Sequence, residues 1–241
     1  MIVMENIALA QPIILAIETS QRIGGVALRD AEGKIHVESV SSDLRHDDDL
    51  LPAIDRLYKR INLKPTSTTV VGVSIGPGGF TGLRIAITTA KMLAEVTNCK
   101  LVAIESSLVA CQSLNQQGPI IVALAAKGES CWATRIIKKD DRWQISEQGR
   151  LVDASSINLE DAKILLGDKH LPLEIRSLCQ QVGVGIIEPS FDPVACVKIA
   201  YQLFSIGQLV DPLKIKPLYP REPEAVTLWV QKGHKKALSD P

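Results

Sequence analysis

Two short stretches of the sequence carry the residue types from which a phosphate grip is built. One is Gly76-Pro77-Gly78-Gly79-Phe80-Thr81-Gly82, a glycine-rich loop between the apolar run 70–75 and a helical pattern. Glycines let a backbone approach a ligand closely, and the unpaired amides at a helix N-terminus suit an anion. The same glycines serve equally to turn a buried strand sharply into a helix, and the loop lacks the Lys-Ser/Thr ending of a P-loop, so both readings stand. The other stretch is Ile17-Glu18-Thr19-Ser20 with Gly24-Gly25 behind it. An acid at the end of a first strand, followed by hydroxyls in the turn, can hold a metal-bound phosphate. Here the acid is a glutamate and the turn carries bulky Gln21, Arg22 and Ile23, which favours a plain hairpin turn. The expected ligand-facing residues are therefore Thr19, Ser20, Gly76, Gly78 and Gly79, forming a vestigial phosphate site with room for weak ATP or ADP binding and no required cofactor.

Other chemistries find less support. His36, His46, His170 and His234 are isolated, and none has a histidine or cysteine at ligand spacing. Asp47-Asp48-Asp49 beside His46 could suggest a cation site, but successive residues on a helix point in different directions and such runs are ordinarily solvated charges at a helix start. No Gly-x-Ser-x-Gly is present, and Ser74 sits inside an apolar strand. Neither a catalytic residue nor a metal site is expected. The five cysteines are scattered without a Cys-x-x-Cys pair, which reads as reduced thiols in a cytoplasmic setting. The apolar stretch 7–17 is interrupted by Gln11 and Pro12 and runs into Glu18, which fits neither a signal peptide nor a membrane span. With 27 basic and 27 acidic residues, no net field draws the whole molecule onto nucleic acid or an anionic membrane.

The elements that would position these residues follow from periodicity. Residues 13–17, 26–28 and 34–40 read as three strands joined as antiparallel hairpins. From Asp47 the period changes: Leu50, Leu51, Ile54, Leu57, Tyr58 and Ile61 recur at helical spacing, with acids in front and Arg56, Lys59 and Arg60 behind, as the helix dipole favours. Pro52 predicts that the regular helix begins within a residue or two of it. A buried strand over 70–75, a helix over 83–96, a strand over 101–104 and a helix over 106–114 complete a first lobe, residues 1–117, with a hinge at 116–119. A smaller lobe, 118–216, holds strands over 120–125, 132–138, 144–152 and 182–188 and a helix over 192–204, followed by a tail, 217–241. The class is α/β. At 241 residues and 46% hydrophobic, the chain is large enough for two compact lobes.

The helix over 83–96 is apolar around most of its circumference. Ala86, Ala90 and Ala94 form a small-residue ridge, with Ile85, Ile87, Met92, Leu93 and Val96 around it. Such a helix needs cover on more than one side, supplied either by its own sheet and neighbours or by a partner chain.

Three segments resemble the TsaB (YeaZ) family: 14–20 with 25–28; Arg45-His46 with Leu50-Leu51-Pro52; and, most specifically, Gly76 to Ile85. Pro217-Leu218-Tyr219-Pro220-Arg221 echoes the family's Pro-x-Tyr-x-Arg segment. The resemblance implies an actin-like ATPase (ribonuclease-H-like) fold with a reduced second lobe. It also implies a role in placing a threonylcarbamoyl group on the adenosine next to the anticodon of tRNA. The implied role is a scaffold rather than an enzyme, paired with a TsaD-like catalytic subunit and joined by a TsaE-like ATPase. tRNA would be met indirectly through the complex, with a homodimer when the chain is alone and no membrane contact. Carried over, Leu50, Leu51, Ile54, Leu83, Ala86, Ile87, Ala90 and Ala94 would face the partner. An ATP-dependent transferase or kinase of the same fold is the alternative. Ala125-Ala126-Lys127-Gly128-Glu129 departs from the family's Asp-Ala-Arg-x-Gly-Glu, and Gly79 replaces its usual serine.

Overall fold

The computed structural model describes residues 11–40, 46–116, 118–126 and 128–220. The extension before residue 11, Arg45, Gln117, Lys127 and the tail beyond Pro220 lie outside the described residues.

Three strands rich in β-branched and small residues open the chain: β1 (Ile14–Glu18), β2 (Gly24–Arg29) and β3 (Ile35–Val40). They pair antiparallel in sequence, and β4 (Val70–Gly76) adds parallel to β1, with β5 (Lys100–Glu105) parallel to β4. The sheet order is β3-β2-β1-β4-β5, the ribonuclease-H-like arrangement that the resemblance implies. Every residue of β1 is buried, because a central strand has neighbours at both edges and must be covered on both faces.

One face is covered by α1 (His46–Arg60) and α2 (Phe80–Thr97). Leu15, Ile17, Val71 and Val73 from the sheet meet Leu50, Ile54, Leu57, Ala86 and Ala90 in one core. Each large apolar side chain buried there contributes about 1.5–3 kcal/mol. Ion pairs tie α1 to β3: Arg56 to Glu38 at 2.9 Å and Arg60 to Glu38 at 2.7 Å, with Arg56 also on Asp49 at 3.0 Å. Against expectation, α1 starts a turn and a half ahead of Pro52 and keeps that proline inside. Pro52 lies on the exposed side, where water can replace the backbone bond that it cannot make.

The second lobe repeats the plan. After α3 (Ser106–Cys111), β6 (Ile120–Ala125), β7 (Cys131–Lys139) and β8 (Arg142–Val152) form an antiparallel meander. β9 (Ile164–Gly167) lies parallel to β6, and β10 (Gly185–Ile187) parallel to β9, with α4 (Leu173–Val182) between them. The two sheets thus share one strand order. The first lobe carries a helix between its third and fourth strands, and the second crosses there by turns over 153–163. That missing helix is what reduces the second lobe.

The helix expected within the lobe 118–216 turns back to the first sheet. α5 (Pro193–Ser205), capped by the Asp192 carboxylate accepting from the Val194 amide at 2.8 Å, packs back across β1, β2, β4 and β5 on the open face of the first sheet. Its residues Cys196, Val197, Ile199 and Ala200 share a core with Ile14, Ala16, Val70, Val102 and, from the second sheet, Ile120 and Val122. The segment 209–220 then straps the first lobe. The Val210 amide donates to the Leu101 carbonyl at 3.0 Å, Ile215 is buried in the α1/α2 core, and the Leu218 amide donates to the Ile75 carbonyl at 2.7 Å. A first sheet left half bare would expose an apolar face, so the chain returns to it after completing the second sheet.

Close approach of α5 depends on Gly72, where an added Cβ would stand 2.5 Å from the Ala200 Cβ. Gly72→Ala should therefore cost about 1–3 kcal/mol of stability through overpacking, read as a lower denaturant midpoint at constant slope. An unchanged midpoint would mean that α5 is seated loosely.

Candidate functional site

The two loops singled out as a phosphate grip do meet, at the C-terminal edge of the first sheet. They meet by packing against each other. The Gly79 amide donates to the Ser20 carbonyl at 2.7 Å, and the Thr19 hydroxyl donates to the Gly82 carbonyl at 3.0 Å. An added Cβ on Gly78 would lie 2.2 Å from that same Ser20 carbonyl oxygen, so the glycine is needed for loop-on-turn contact. Thr19, Ser20 and Gly76 are buried, and of the five expected residues only Gly79 is exposed. The Thr19 hydroxyl and the Gly79 amide are thus engaged inside the protein, whereas the buried Ser20 hydroxyl has no hydrogen-bond partner.

Behind the loops lies a string of buried polar side chains. Glu18 is fully buried; one carboxylate oxygen accepts from the Ser20 amide at 2.8 Å and the other has no hydrogen-bond partner. Burial pushes its pKa above the usual carboxylate range, opposed by hydrogen bonding to Ser20 and by Ser74 beside it. Ser74 and Ser106 bond to each other at 2.9 Å across β4 and the start of α3. Glu105 is also pushed up by burial, and one of its oxygens and the Ser107 hydroxyl lack partners. The Ser74–Ser106 contact was hidden in the sequence because each serine reads as an isolated polar residue; only the parallel pairing of β4 with β5 brings them together.

A cleft of ≈ 280 Å³ opens between the lobes, lined by Gln21, Pro77, Gly78, Gly79, Leu124, Asp168 and Pro220. Its described lining contains no cation and one acid, a poor match to a polyphosphate. Among the described residues, no three His, Cys, Asp or Glu side chains come together at metal-ligand distances. His36 is instead paired with Asp30 at 2.7 Å.

The predicted partner face is largely internal. Leu50, Ile54, Leu83, Ala86, Ile87, Ala90 and Ala94 are all buried, whereas Leu51 is 49% exposed. The alanine ridge of α2 is consumed by its own core with α1 and the sheet. Apolar surface that remains open on these helices comes from Leu51, Phe80 at the start of α2, Met92 at 49% and Val96 at 79% exposure. No described helix is long and apolar enough to cross a membrane.

The comparisons bear on this arrangement. Residues 37–148 match the family model described as TsaD: tRNA N6-adenosine threonylcarbamoyltransferase. The tRNA threonylcarbamoyladenosine biosynthesis protein TsaB of Buchnera aphidicola is 25% identical over 175 residues, spanning 69% of this chain and 79% of the relative. The Bacillus subtilis protein of the same name is 32% identical over 93 residues, 39% of this chain and 41% of its own. The chain is similar in sequence to proteins named TsaB. The solved structure of YeaZ from Pseudomonas aeruginosa superposes with a TM-score of 0.71 at 18% identity, covering 87% of this chain and 100% of that one. A Pseudomonas aeruginosa protein described as similar to the peptidase YeaZ gives 0.72 at 17% identity, covering 88% and 100%. These structural likenesses carry the fold alone.

Glu18 supplies a test with a defined sign. With its folded pKa raised above 4.5, the native state holds a proton that the unfolded chain releases, so stability falls as pH rises above about that value. Glu18→Gln should raise the denaturant midpoint at pH 8 and flatten its decline between pH 4.5 and 8. Parallel curves for the two proteins would show that Glu18 is not held protonated.

Proposed function

We propose that the chain is a non-catalytic scaffold in the formation of threonylcarbamoyladenosine in tRNA, binding a TsaD-like catalytic subunit through the outer faces of α1 and α2. The observation that carries this reading is the contrast between the two surfaces described above. The Thr19 hydroxyl and the Gly79 amide at the sheet edge are engaged in loop-on-turn packing, whereas Leu51, Met92 and Val96 stand exposed on neighbouring helices. Exposed apolar groups on one helical layer suit a protein partner. The relatives named for tRNA threonylcarbamoyladenosine biosynthesis supply the process.

In this reading the chain works in the cytoplasm, a TsaE-like ATPase joins the pair, and the same helical face pairs two copies when the partner is absent. No cofactor is required, and any ATP or ADP held in the cleft is held weakly. The partner's reactive centre would carry the chemistry, with this chain holding its geometry.

Met92→Glu combined with Val96→Glu should weaken complex formation with a TsaD-like subunit by about tenfold or more. Both positions are exposed, so the thermal midpoint should stay unchanged. Formation of the complex at wild-type strength would defeat the proposed interface. Calorimetry with ATP and magnesium on the isolated chain should show at most weak binding. Micromolar binding with turnover would instead favour an ATP-dependent transferase or kinase.

A further inference from the structure

A second surface on α2 has a different character. Where the strap 209–220 runs beside the helix, a groove of ≈ 240 Å³ opens with Ile87 and Ile215 among its apolar lining. Arg84 and Lys91 line it from α2 and Lys216 from the strap, with the Thr88 hydroxyl between the helix cations. The described lining contains no acid, and among the described residues neither lysine has an acidic partner. In a chain with equal numbers of acids and bases, that is a local concentration of one sign.

Aromatic groups stand at one end of the groove. The Phe80 and Tyr219 rings stack with centroids 4.9 Å apart, and the Arg84 guanidinium lies 3.7 Å over the Phe80 ring. The Arg84 Nε donates to the Tyr219 hydroxyl at 3.0 Å, which fixes the guanidinium plane while its terminal nitrogens remain available. Phe80 is 44% exposed. Planar groups for stacking beside a line of cations are the two components of a surface that binds unpaired nucleotides: rings take bases and cations take phosphates. An acidic peptide would use the cations and leave the half-exposed ring without a role.

We infer that the groove between α2 and the C-terminal strap binds an RNA segment, with backbone phosphate on Lys91 and Lys216 and an unstacked base on the Phe80/Tyr219/Arg84 layer. The choice of RNA among polyanions rests on the tRNA-modification reading above. Contact with tRNA would then be partly direct, where the resemblance alone implies contact through the partner.

The test uses the full-length chain alone and an unmodified tRNA transcript, followed by fluorescence anisotropy across a salt series. Lys91→Gln with Lys216→Gln should weaken binding about tenfold at low salt and reduce the salt slope by about 1.5, the value for two lost phosphate contacts. Phe80→Ala should weaken binding about fivefold or more while leaving the slope unchanged. Thermal melting checks that each variant folds. Wild-type affinity in the lysine variant, or no binding of the transcript at all, would overturn the inference. Poly-glutamate binding as tightly as the transcript, with no effect of Phe80→Ala, would also overturn it and point to an acidic protein segment. These variants leave Leu51, Met92 and Val96 in place, so failure of the groove and failure of the partner interface are read separately.

Discussion

The central strand β1 has no exposed residue, and most of the architecture follows from that. A strand buried on both faces must be covered by two layers of helix, and the chain supplies them from opposite ends of its sequence. α1 and α2 come from the connections within the first sheet, whereas α5 arrives after the whole second sheet has been made. The small residues Ala16, Ala27 and Gly72 lie where α5 comes down, so the sheet is shaped to accept a helix at short range. Cys111, Leu108 and Val109 of α3 extend the same core toward Ile120 and Ile136, joining the lobes through shared apolar contact.

The same packing settles what becomes of the sheet edge where a ligand would be expected. Bringing the glycine loop down onto the Glu18–Ser20 turn pairs the Gly79 amide with the Ser20 carbonyl and the Thr19 hydroxyl with the Gly82 carbonyl. Glu18 then sits among serines in a region without water access, and burial favours its neutral form. The edge holds a string of buried polar groups, and exposed apolar side chains stand out on α2.

Periodicity made the first lobe legible. Alternation and helical spacing placed three strands at 13–17, 26–28 and 34–40 and helices near Pro52 and from 83, each with one strongly patterned face, although the helices start earlier, at His46 and Phe80. The second lobe was harder: β9 and α4 escaped notice because Ile164–Gly167 is only four residues long and Leu173–Val182 mixes Arg, Gln and Cys among few apolar positions. Local pattern also said nothing of where a helix docks. The run from Asp192, with Pro193 at its first turn, read as a helix, but its return to the first sheet is a tertiary fact. The alanine ridge of α2 shows the same limit, since small residues at helical spacing read identically whether the close neighbour is α1 or another chain.

The strap and α5 carry a consequence for synthesis. A ribosome releases chains from the N-terminus, and folding of the leading unit ordinarily begins before the rest is made. Here the leading sheet is left with one bare apolar face until residues near 205 emerge, and its α2 flank stays open until Pro220 has followed. The second sheet, made in between, shares that core through Ile120, Val122 and Ile136. During translation the part made earliest is therefore finished last.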